Sequence, residues 1–593
     1  MNSFSSINTA LSALQAQQRA LDTTSHNIAN ANTDGYSRQR AELSASRPYT
    51  SPGMNMPTTA GQVGQGVQVD NINRLRDDFI DGQIRRESQA GGYWDKVSEG
   101  LNRLELIYNE PSDNNLGASL NQFWSSLQEL SNEPQDSAIR ATVRQRAVTL
   151  TDTFQSLHQQ MNEFKGSINN DVHSTVDEIN SIIERIGDMN KEIVHIKGSG
   201  QQPNDLMDRR DLLFDQLNEK VDAQGRVDSR GNLDISIGGV KVVSGSSTNQ
   251  LEIREDPDNN YEDTIHYSNI GKEIQVERGE LKGLLQVRDE EIEGQLAELD
   301  TIAREMAEHF NAVHSTGFDL NGDQGGEFFD IPDADSGESA AQLIEVSQNI
   351  MDSTRNIAAG NYSDNPRTVE VNDPGDTVNP SPYTYKINIG RPDADGNFNI
   401  SIAELDGEDP IHELTNINSA DLDIDNIDDT EPLLGQEINL GDLEQAIIDH
   451  IDDPDEFNGF SASDQIQEVQ LTLKSPGEAR INMNPAEGSG ENATALARAL
   501  NDDPLEGLDN TSVSKYFSGV ISTLGVDGQR ANQMVENSDL LKEQLSNRRE
   551  AISGVSLDEE LANMIKFQQA YGAAANIITT QQQNLDTLLG LIR

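Results

Sequence analysis

The sequence contains no cysteine among its 593 residues, and this absence removes several kinds of chemistry at once. It excludes a disulfide framework, a thiolate nucleophile and a cysteine-ligated zinc site. Apolar residues are also scarce, at 34%. No run approaches the ~18 apolar residues that a membrane-spanning helix needs, so we expect no membrane insertion. The stretches that are apolar show regular periodicity, which predicts a folded, elongated protein with much surface.

Basic residues are the second shortage. The chain has 43 Lys and Arg residues against 101 Asp and Glu, a net charge of −58, and Lys and Arg are missing altogether from Pro392 to Leu473. A nucleic acid or an anionic membrane is therefore excluded as a partner, because its phosphates repel such a surface. High acidity favours solubility in a salty medium, where ions screen the self-repulsion.

Nothing at the amino terminus resembles a secretory leader, so we expect none. The first basic residue is Arg19, and Gln15, Gln17 and Gln18 interrupt any apolar core of a leader. If the protein leaves the cell, we expect another export route to carry it.

The first segment, Phe4 to Asn32, has a regular apolar pattern. Its repeating residues are spaced alternately three and four apart, the seven-residue repeat of a coiled-coil seam. They are Phe4, Ile7, Leu11, Leu14, Gln18, Leu21, Ser25, Ile28 and Asn32. Only Arg19 and Asp22 carry charge in this segment. The predicted helix of ~29 residues is roughly 43 Å long and too narrowly apolar to form a core alone, so it needs a partner helix.

The end of the chain supplies a matching stripe. After a break at Ser553-Gly554, apolar residues step by four and three to the end. They are Leu557, Leu561, Met564, Gln568, Tyr571, Ala575, Ile578, Gln582, Leu585 and Leu589. We predict that the two terminal helices pair, with the polar Gln18, Gln568 and Gln582 setting register at some cost in stability.

The predicted fold is multidomain α plus β. Terminal segments 1–75 and 553–593 form a coiled-coil axial domain, and segments 76–220, 288–330 and 485–552 form a bundle of long helices. Alternating residues predict a small β unit over 221–287 and an acidic, mainly β domain inserted over 331–484. The mainly β domains therefore lie in the middle of the chain.

No motif for catalysis is present. The sequence lacks a nucleophile elbow, a phosphate-binding loop and H-E-x-x-H, and His309 and His314 are too far apart in helical phase for zinc. Asp319 to Gly325 departs from a calcium loop because Gln324 stands where the turn glycine is needed, so we expect a structural turn. We predict no enzymatic activity, no cofactor and no metal site.

Both ends resemble known motifs. Ala10 to Gln39, which includes Asn27-Ile28-Ala29-Asn30 and Tyr36-Ser37-Arg38-Gln39, resembles the amino-terminal motif of bacterial flagellar rod, hook and hook-associated proteins. Gly554 to Tyr571 resembles their carboxy-terminal motif. Two internal stretches, Gly283 to Asp289 and Phe310 to Gly322, resemble the FlgK family in particular. One departure is Asp34 where the family usually has Pro, which makes that turn less rigid.

The resemblance implies a structural protein at the junction between flagellar hook and filament. It implies self-assembly into a ring or tube, contact with the hook protein and a second junction protein, and a FlgN-type export chaperone on the carboxy-terminal helix. It implies type III export without a cleaved leader, and termini that order only as subunits stack. The expected assembly interface comprises Phe4, Ile7, Leu11, Leu14, Leu21, Ile28, Leu557, Leu561, Met564, Tyr571, Ile578 and Leu585.

Three alternatives stay open from the residues. The chain could be a hook or rod protein, since the terminal motifs are shared with those proteins. The acidic 331–484 region, where Asp421, Asp423 and Asp425 alternate, could be a cation-binding or adhesive module. A hydrolase acting on cell-wall glycan is a third hypothesis, and it lacks a motif.

Overall fold

A computed structural model describes most of the chain outside the acidic middle. The described residues are 3–46, 64–109, 115–256, 262–321, 323–333, 336–360, 384–389, 399–406, 409–418, 437–439, 478–480 and 489–591. Helices predominate and the sheets are small, so the predicted mixture of α and β structure is confirmed in this general form.

Helices, both long and short, account for most of the described residues. They are α1 Ser3–Ala29, α2 Asp78–Tyr108, α3 Leu116–Asn132, α4 Ser137–Gly198, α5 Asn204–Lys220, α6 Glu280–Gln286, α7 Glu293–His314, α8 Ala340–Leu343, α9 Gln348–Asp352, α10 Glu491–Asn501, α11 Val513–Ser553 and α12 Leu557–Leu591. A π-helical turn, Val287–Ile292, joins α6 to α7, and short 3-10 turns occupy Thr354–Asn356 and Glu506–Leu508.

The strands form small antiparallel sheets. They are β1 Gln39–Ala45, β2 Val67–Arg74, β3 Ala223–Val227, β4 Leu233–Ile237, β5 Val240–Ser244, β6 Ser247–Thr248, β7 Leu251–Asp256, β8 Glu262–Tyr267, β9 Phe329–Asp330, β10 Glu345–Val346, β11 Thr384–Ile389, β12 Asn399–Asp406, β13 Asp409–Asn418, β14 Glu437–Asn439 and β15 Glu478–Arg480. Among described residues the sheets are β1-β2, β3-β4-β5-β6, β7-β8, β9-β10, β11-β12-β13 and β14-β15.

The chain divides into two compact units. Unit 1 comprises Met1–Leu104, Glu163–Glu293 and Leu524–Arg593, and unit 2 comprises Glu105–Asn162 and Gly294–Thr523. Each unit therefore draws on segments that are distant in sequence, which the terminal stripes and the helical periods had indicated.

Unit 1 packs helix against sheet. Along its part of α4, apolar residues at helical spacing are buried, and in β4 every second residue is buried. These residues are Val176, Ile179, Ile183, Ile186, Leu233, Ile235 and Ile237. Asn190 ties the two elements together, since its side-chain nitrogen donates to the carbonyl oxygens of Leu233 at 2.9 Å and Gly245 at 2.8 Å.

Unit 2 has an aromatic core. Phe123, Phe310, Phe328 and Phe329 are fully buried, and the ring centroids of Phe310 and Phe328 lie 4.9 Å apart in an edge-to-face arrangement. His314 is buried beside Phe328. Its Nδ1 donates to the Gly326 carbonyl at 2.7 Å, while its Nε2 accepts from the Ala358 amide at 2.9 Å. His314 is therefore a packing residue of this core.

Clusters of polar turn formers at 109–115, 131–136 and 198–204 predict breaks between helices, and helix ends coincide with them. Helices stop at Tyr108, Asn132 and Gly198, and the next ones start at residues 116, 137 and 204. Asn115 caps α3, because its side-chain oxygen accepts from the Ala118 amide at 2.6 Å. Polar turn formers therefore specify these boundaries.

Helix occurs in two places where the sequence predicted strand. Helix α6 lies inside the β unit predicted over 221–287, because Leu281 and Leu284 are buried at helical spacing. Helices α8 and α9 lie inside the predicted 331–484 domain. Ser339 starts α8 by accepting from the Gln342 amide at 3.2 Å. Most of that domain, including the proposed cation-binding residues Asp421 to Asp425, lies outside the described residues.

Asp319 forms the structural turn that was expected in place of a calcium loop. Its Oδ1 accepts from the amides of Asn321 at 2.7 Å and Asp323 at 2.9 Å, which uses the carboxylate internally. Across the described ranges, no group of three or more acidic or histidine residues is arranged to hold a metal ion.

Candidate assembly site at the terminal helices

Helices α1 and α12 lie against each other in unit 1. They run antiparallel, since Asn27 near the end of α1 meets Glu560 near the start of α12. The β1-β2 hairpin also contacts α1. Gly66, just before β2 begins, has φ +107, and a side chain there would collide with Ser12. Two neighbours therefore cover one side of the first helix.

Helix α1 buries small side chains. Among the described side chains of α1, the buried apolar residues are Ala10, Ala16 and Ala20, and Thr23, Thr24 and Asn27 continue the buried side. Among the described side chains of α12, Ala574 is the one buried apolar residue. The most deeply buried apolar positions described in the pair are therefore occupied by small side chains.

Large apolar residues lie around the edge of this contact. Of the predicted interface, four residues are exposed: Leu11, Leu557, Leu561 and Tyr571. Seven are half-buried: Ile7, Leu14, Leu21, Ile28, Met564, Ile578 and Leu585. The side chain of Phe4 lies outside the described residues. At ~100° per residue, the leucine stripe of α1 lies about a third of a turn from its alanine side.

We call the exposed apolar residues of the pair the outer ridge. Its members are Leu11, Leu557, Leu561, Ile565, Tyr571 and Ile577. Leu11 is 47% exposed and Leu561 is 49% exposed, values typical of surface residues and not of a core. Only Lys566 is charged among residues 561–585, so the ridge is nearly neutral beyond the acidic first turn of α12, Asp558 to Glu560, in a chain of net charge −58.

A buried polar cluster joins the lower end of the pair to the hairpin. Its central residue is Asn27, which is 1% exposed. The Asn27 amide nitrogen donates to the Gln39 carbonyl at 2.8 Å and to Glu560 Oε2 at 3.0 Å. Its amide oxygen accepts from the Gln39 amide at 2.9 Å and the Tyr36 hydroxyl at 2.8 Å. Both atoms of this buried amide are therefore fully used.

Arg38 and Glu560 complete the cluster. Arg38 donates through Nε at 2.8 Å and Nη2 at 2.7 Å to Glu560 Oε1, and the Glu560 side chain is only 3% exposed. Arg38 Nη1 reaches Glu559 at 2.8 Å, a carboxylate that is 63% exposed. The Arg38 backbone amide donates to the Ser553 carbonyl at 2.9 Å, where α11 ends. One arginine thus contacts both sides of the α11–α12 turn.

Helix α5 holds the cluster from the other side. The Ser37 amide donates to Asp208 at 3.1 Å, and the Gln39 side chain donates to Asp205 at 2.9 Å. Asn204 donates to the Gln39 side-chain oxygen at 3.0 Å. The turn from Tyr36 to Gln39 is therefore bonded to α1, α5 and α12 together.

An ion-pair network extends from Asp208 into unit 1. Arg74 bonds Asp208 and Asp211, each at 2.8 Å, and Arg76 bonds Asp81 at 2.7 Å and Asp211 at 3.1 Å. Burial raises the pKa of Asp208 above its ordinary value. Burial also acts to raise the pKa of Asp211, but the neighbouring arginines outweigh it and hold that pKa below its ordinary value.

Tyr36 is bound on both sides of its hydroxyl. The hydroxyl donates to Asn27 and lies 3.0 Å from His26 Nδ1. Burial, together with the carboxylates of Asp205, Asp208 and Glu560, raises the pKa of Tyr36 above its ordinary value. Tyr36 therefore stays protonated and keeps its donor role in the cluster.

The sequence alone predicts no role for the residues of this cluster. Asn27, Tyr36, Arg38, Gln39 and Glu560 all belong to the two terminal motifs. Their polarity in an otherwise apolar-patterned helix was the available indication, because a polar residue on a packed helix implies a buried partner. The partner itself lies more than five hundred residues away for Asn27, which sequence spacing does not give.

Comparison with protein families matches three parts of the chain. Residues 101–329 match the flagellar hook-associated protein FlgK helical domain, 7–36 match the flagella basal body rod protein, and 549–591 match the flagellar basal body rod FlgEFG protein C-terminal region. A relative named flagellar hook-associated protein 1, from Bacillus subtilis strain 168, is 28% identical over 99% of this chain and 98% of its own.

The chain is similar to FlgK proteins over 99% of its length. A flagellar hook-associated protein 1 from Salmonella typhimurium strain LT2 is 27% identical over 99% of both chains. A solved structure, the flagellar hook junction protein FlgK from Burkholderia pseudomallei, is similar with a TM-score of 0.54. It is 16% identical and covers 80% of this chain and 100% of its own, so it supports the FlgK-like fold.

These similarities identify the chain as a structural protein of the bacterial flagellum, of the hook-associated kind that serves flagellum assembly and motility. The two terminal family matches, 7–36 and 549–591, contain Asn27 and Glu560 respectively. The buried cluster therefore connects the two segments that flagellar axial proteins share. Within the described residues, no helix combines the length and apolarity needed to cross a membrane.

Proposed function

We propose that this protein is a structural subunit of the junction between flagellar hook and filament, and that copies assemble through the outer ridge of the paired terminal helices. The observation that carries the proposal is the ridge itself. Apolar side chains such as Leu11 and Leu561 are about half exposed in one copy, and burying them against a neighbour is favourable by roughly 25 cal/mol per Å².

Charge supports the same choice of surface. Copies of a chain with net charge −58 repel one another over most of their surfaces. The terminal pair is the exception, because α1 carries only Arg19 and Asp22 and residues 561–585 carry only Lys566. Neighbouring copies therefore approach with least repulsion along the terminal helices.

Aspartate substitutions test the proposal at the ridge residue Leu561 and at Leu14, a half-buried residue of the predicted interface. Leu561→Asp and Leu14→Asp should abolish incorporation at the hook tip, because each places a carboxylate in an apolar contact between copies. Gln569→Asp, at an exposed polar position of the same helix, is the matched control and should assemble normally. Labelled antibody on isolated flagella reads out incorporation, and circular dichroism checks that each variant is folded.

The same experiment separates the competing flagellar roles. A junction subunit should label as a thin ring between hook and filament, whereas a hook or rod subunit should label along those structures. Normal filament formation by both Leu14→Asp and Leu561→Asp would contradict assembly through the terminal pair. The partners proposed at the two faces of the ring are the hook protein and the second junction protein.

We further propose type III export with a FlgN-type chaperone bound to α12 before assembly. An unassembled copy exposes Leu557, Leu561, Ile565 and Ile577 on one helix, and such surface invites aggregation unless it is covered. The chaperone should co-purify with the full chain and be lost with Ile565→Asp. Equal capture of the Gln569→Asp and Ile565→Asp variants would count against binding at this helix.

A further inference from the structure

We propose that Glu560, with Arg38 and Asn27, is the positioning residue that fixes the axial register of α12 against α1. The consequence for assembly rests on the proposed function, whereas the register itself is a property of one copy. The cluster lies at one end of the pair, where both helices join the body of unit 1. The cluster can therefore stabilise one alignment of the two helices over others that are similar in side-chain packing.

The packing between the helices is permissive. The buried apolar side chains of α1 are Ala10, Ala16 and Ala20, and Ala574 is the matching buried residue in the described part of α12. Small side chains make shallow ridges, so sliding α12 by seven residues replaces one small or flexible contact by another. The large apolar residues at the contact, such as Leu14 and Leu21, are half-buried and not enclosed, so they hold the register less strictly than the fully buried knobs of a regular coiled coil.

The polar cluster is selective where the packing is not. Sliding α12 by one heptad would carry Glu560 roughly 10 Å along the axis at ~1.5 Å per residue. Arg38 would lose its two bonds to Glu560 Oε1, and the Asn27 nitrogen would lose the bond to Oε2. Breaking a buried charge pair leaves an uncompensated charge, which strongly destabilises the shifted alignment.

Arg38 cannot follow such a movement. Its backbone amide is bonded to the Ser553 carbonyl, and the residues on either side of it are bonded to Asp208 and Asn27. The guanidinium group is therefore aimed from a fixed point at the first turn of α12. Glu559, which also contacts Arg38, is exposed to water and loses little when that contact breaks.

The absence of native cysteine makes the register measurable by thiol crosslinking. Ala13 lies fourteen residues before Asn27, and Ala574 lies fourteen residues after Glu560, so antiparallel helices bring the two level. A short thiol crosslinker should therefore bridge Ala13→Cys to Ala574→Cys within one copy. Ala13→Cys with Gln581→Cys detects a slip of one heptad. The full-length chain is used, diluted so that bridges form within monomers.

In the wild-type background we expect the 13–574 bridge to exceed the 13–581 bridge by at least about tenfold. Glu560→Ala should lower that ratio by about tenfold or more. Glu559→Ala is the matched control, since it removes the neighbouring carboxylate from the same arginine, and it should leave the ratio within about twofold. A purely stabilising role would lower the unfolding midpoint and leave the ratio unchanged.

Glu560→Gln is a second, milder variant for the case that Glu560→Ala does not fold. It keeps the size of the side chain and an acceptor for Asn27 but removes the charge that Arg38 neutralises, so the ratio should fall by a smaller factor. An unchanged ratio in folded Glu560→Gln and Glu560→Ala chains would overturn the inference. A failure of the ridge variants to affect assembly would instead count against the proposed function, because the crosslink ratio does not depend on neighbouring copies.

Discussion

The aromatic core of unit 2 and the terminal helix pair of unit 1 use apolar side chains in opposite ways. In unit 2, Phe310 and Phe328 are fully buried among other rings. In the terminal pair, alanines are buried while Leu11 and Leu561 are exposed. The first is a completed core, whereas the second leaves large apolar residues exposed in one copy. This contrast is what we expect if the terminal pair is the assembly surface that we propose.

The largest change in unfolding free energy is expected from Phe310→Ala. This change removes a ring that contacts Phe123, Phe328 and Phe329, and large-to-small substitutions of this kind cost about 3–5 kcal/mol. Denaturant unfolding of the full chain should show the loss in the transition that belongs to unit 2. Phe79→Ala is the control, since Phe79 is 65% exposed and its loss should change stability by less than about 0.5 kcal/mol.

A smaller effect is expected from acid acting on His314 in the same core. Burial lowers the pKa of His314 from 6.5 to about 4. The unfolded state therefore binds a proton more readily than the folded state between those values, and stability must fall as the pH drops through this window. The loss attributable to His314 is about 3 kcal/mol by linkage.

The comparison that isolates this effect is between wild type and His314→Phe. Carboxylates contribute their own pH dependence to both proteins, and the difference between the two curves leaves the histidine contribution. We expect the gap in unfolding free energy to narrow between pH 7 and pH 4, since only the wild type carries the histidine that acid penalises. Parallel curves would refute a neutral, buried His314.

The smallest effect on a single copy should come from Leu561→Ala. Leu561 is about half exposed, so its truncation should change the unfolding free energy of the monomer by no more than about 0.5 kcal/mol. Assembly is the sensitive measurement, and the number of labelled hook tips should fall clearly. A large loss of monomer stability would mean that the ridge belongs to a core, which would remove the contrast with Phe310.

Sequence periodicity identified the helices well, because long amphipathic stripes such as Val176 to Ile186 leave one face apolar at an unambiguous spacing. It chose the terminal stripes by size and passed over Ala16, Ala20 and Ala574, which one copy in fact buries. Alanine fits inside and outside positions equally, so spacing alone does not rank two adjacent stripes. The partner that closes over the helix decides between them.

The spacing of residues in the sequence does not predict the polar cluster, and the reason is different. Asn27 and Glu560 have no local pattern that links them, and their meeting depends on the turn at Tyr36 to Gln39 being held by α5. Local propensity also misjudged α6, where tertiary burial of Leu281 and Leu284 favours helix in a stretch punctuated like a β unit.

The arginines of unit 1 have a consequence for the outside of the molecule. Arg38, Arg74, Arg76, Arg85 and Arg210 direct their guanidinium groups into internal pairs. Positive charge that is already scarce is thereby withdrawn from the surface, and the carboxylates that face water have fewer fixed counterions than composition suggests. Copies stacked as we propose would present a densely negative outer surface. Cations from the surrounding solution would then neutralise the charge between them.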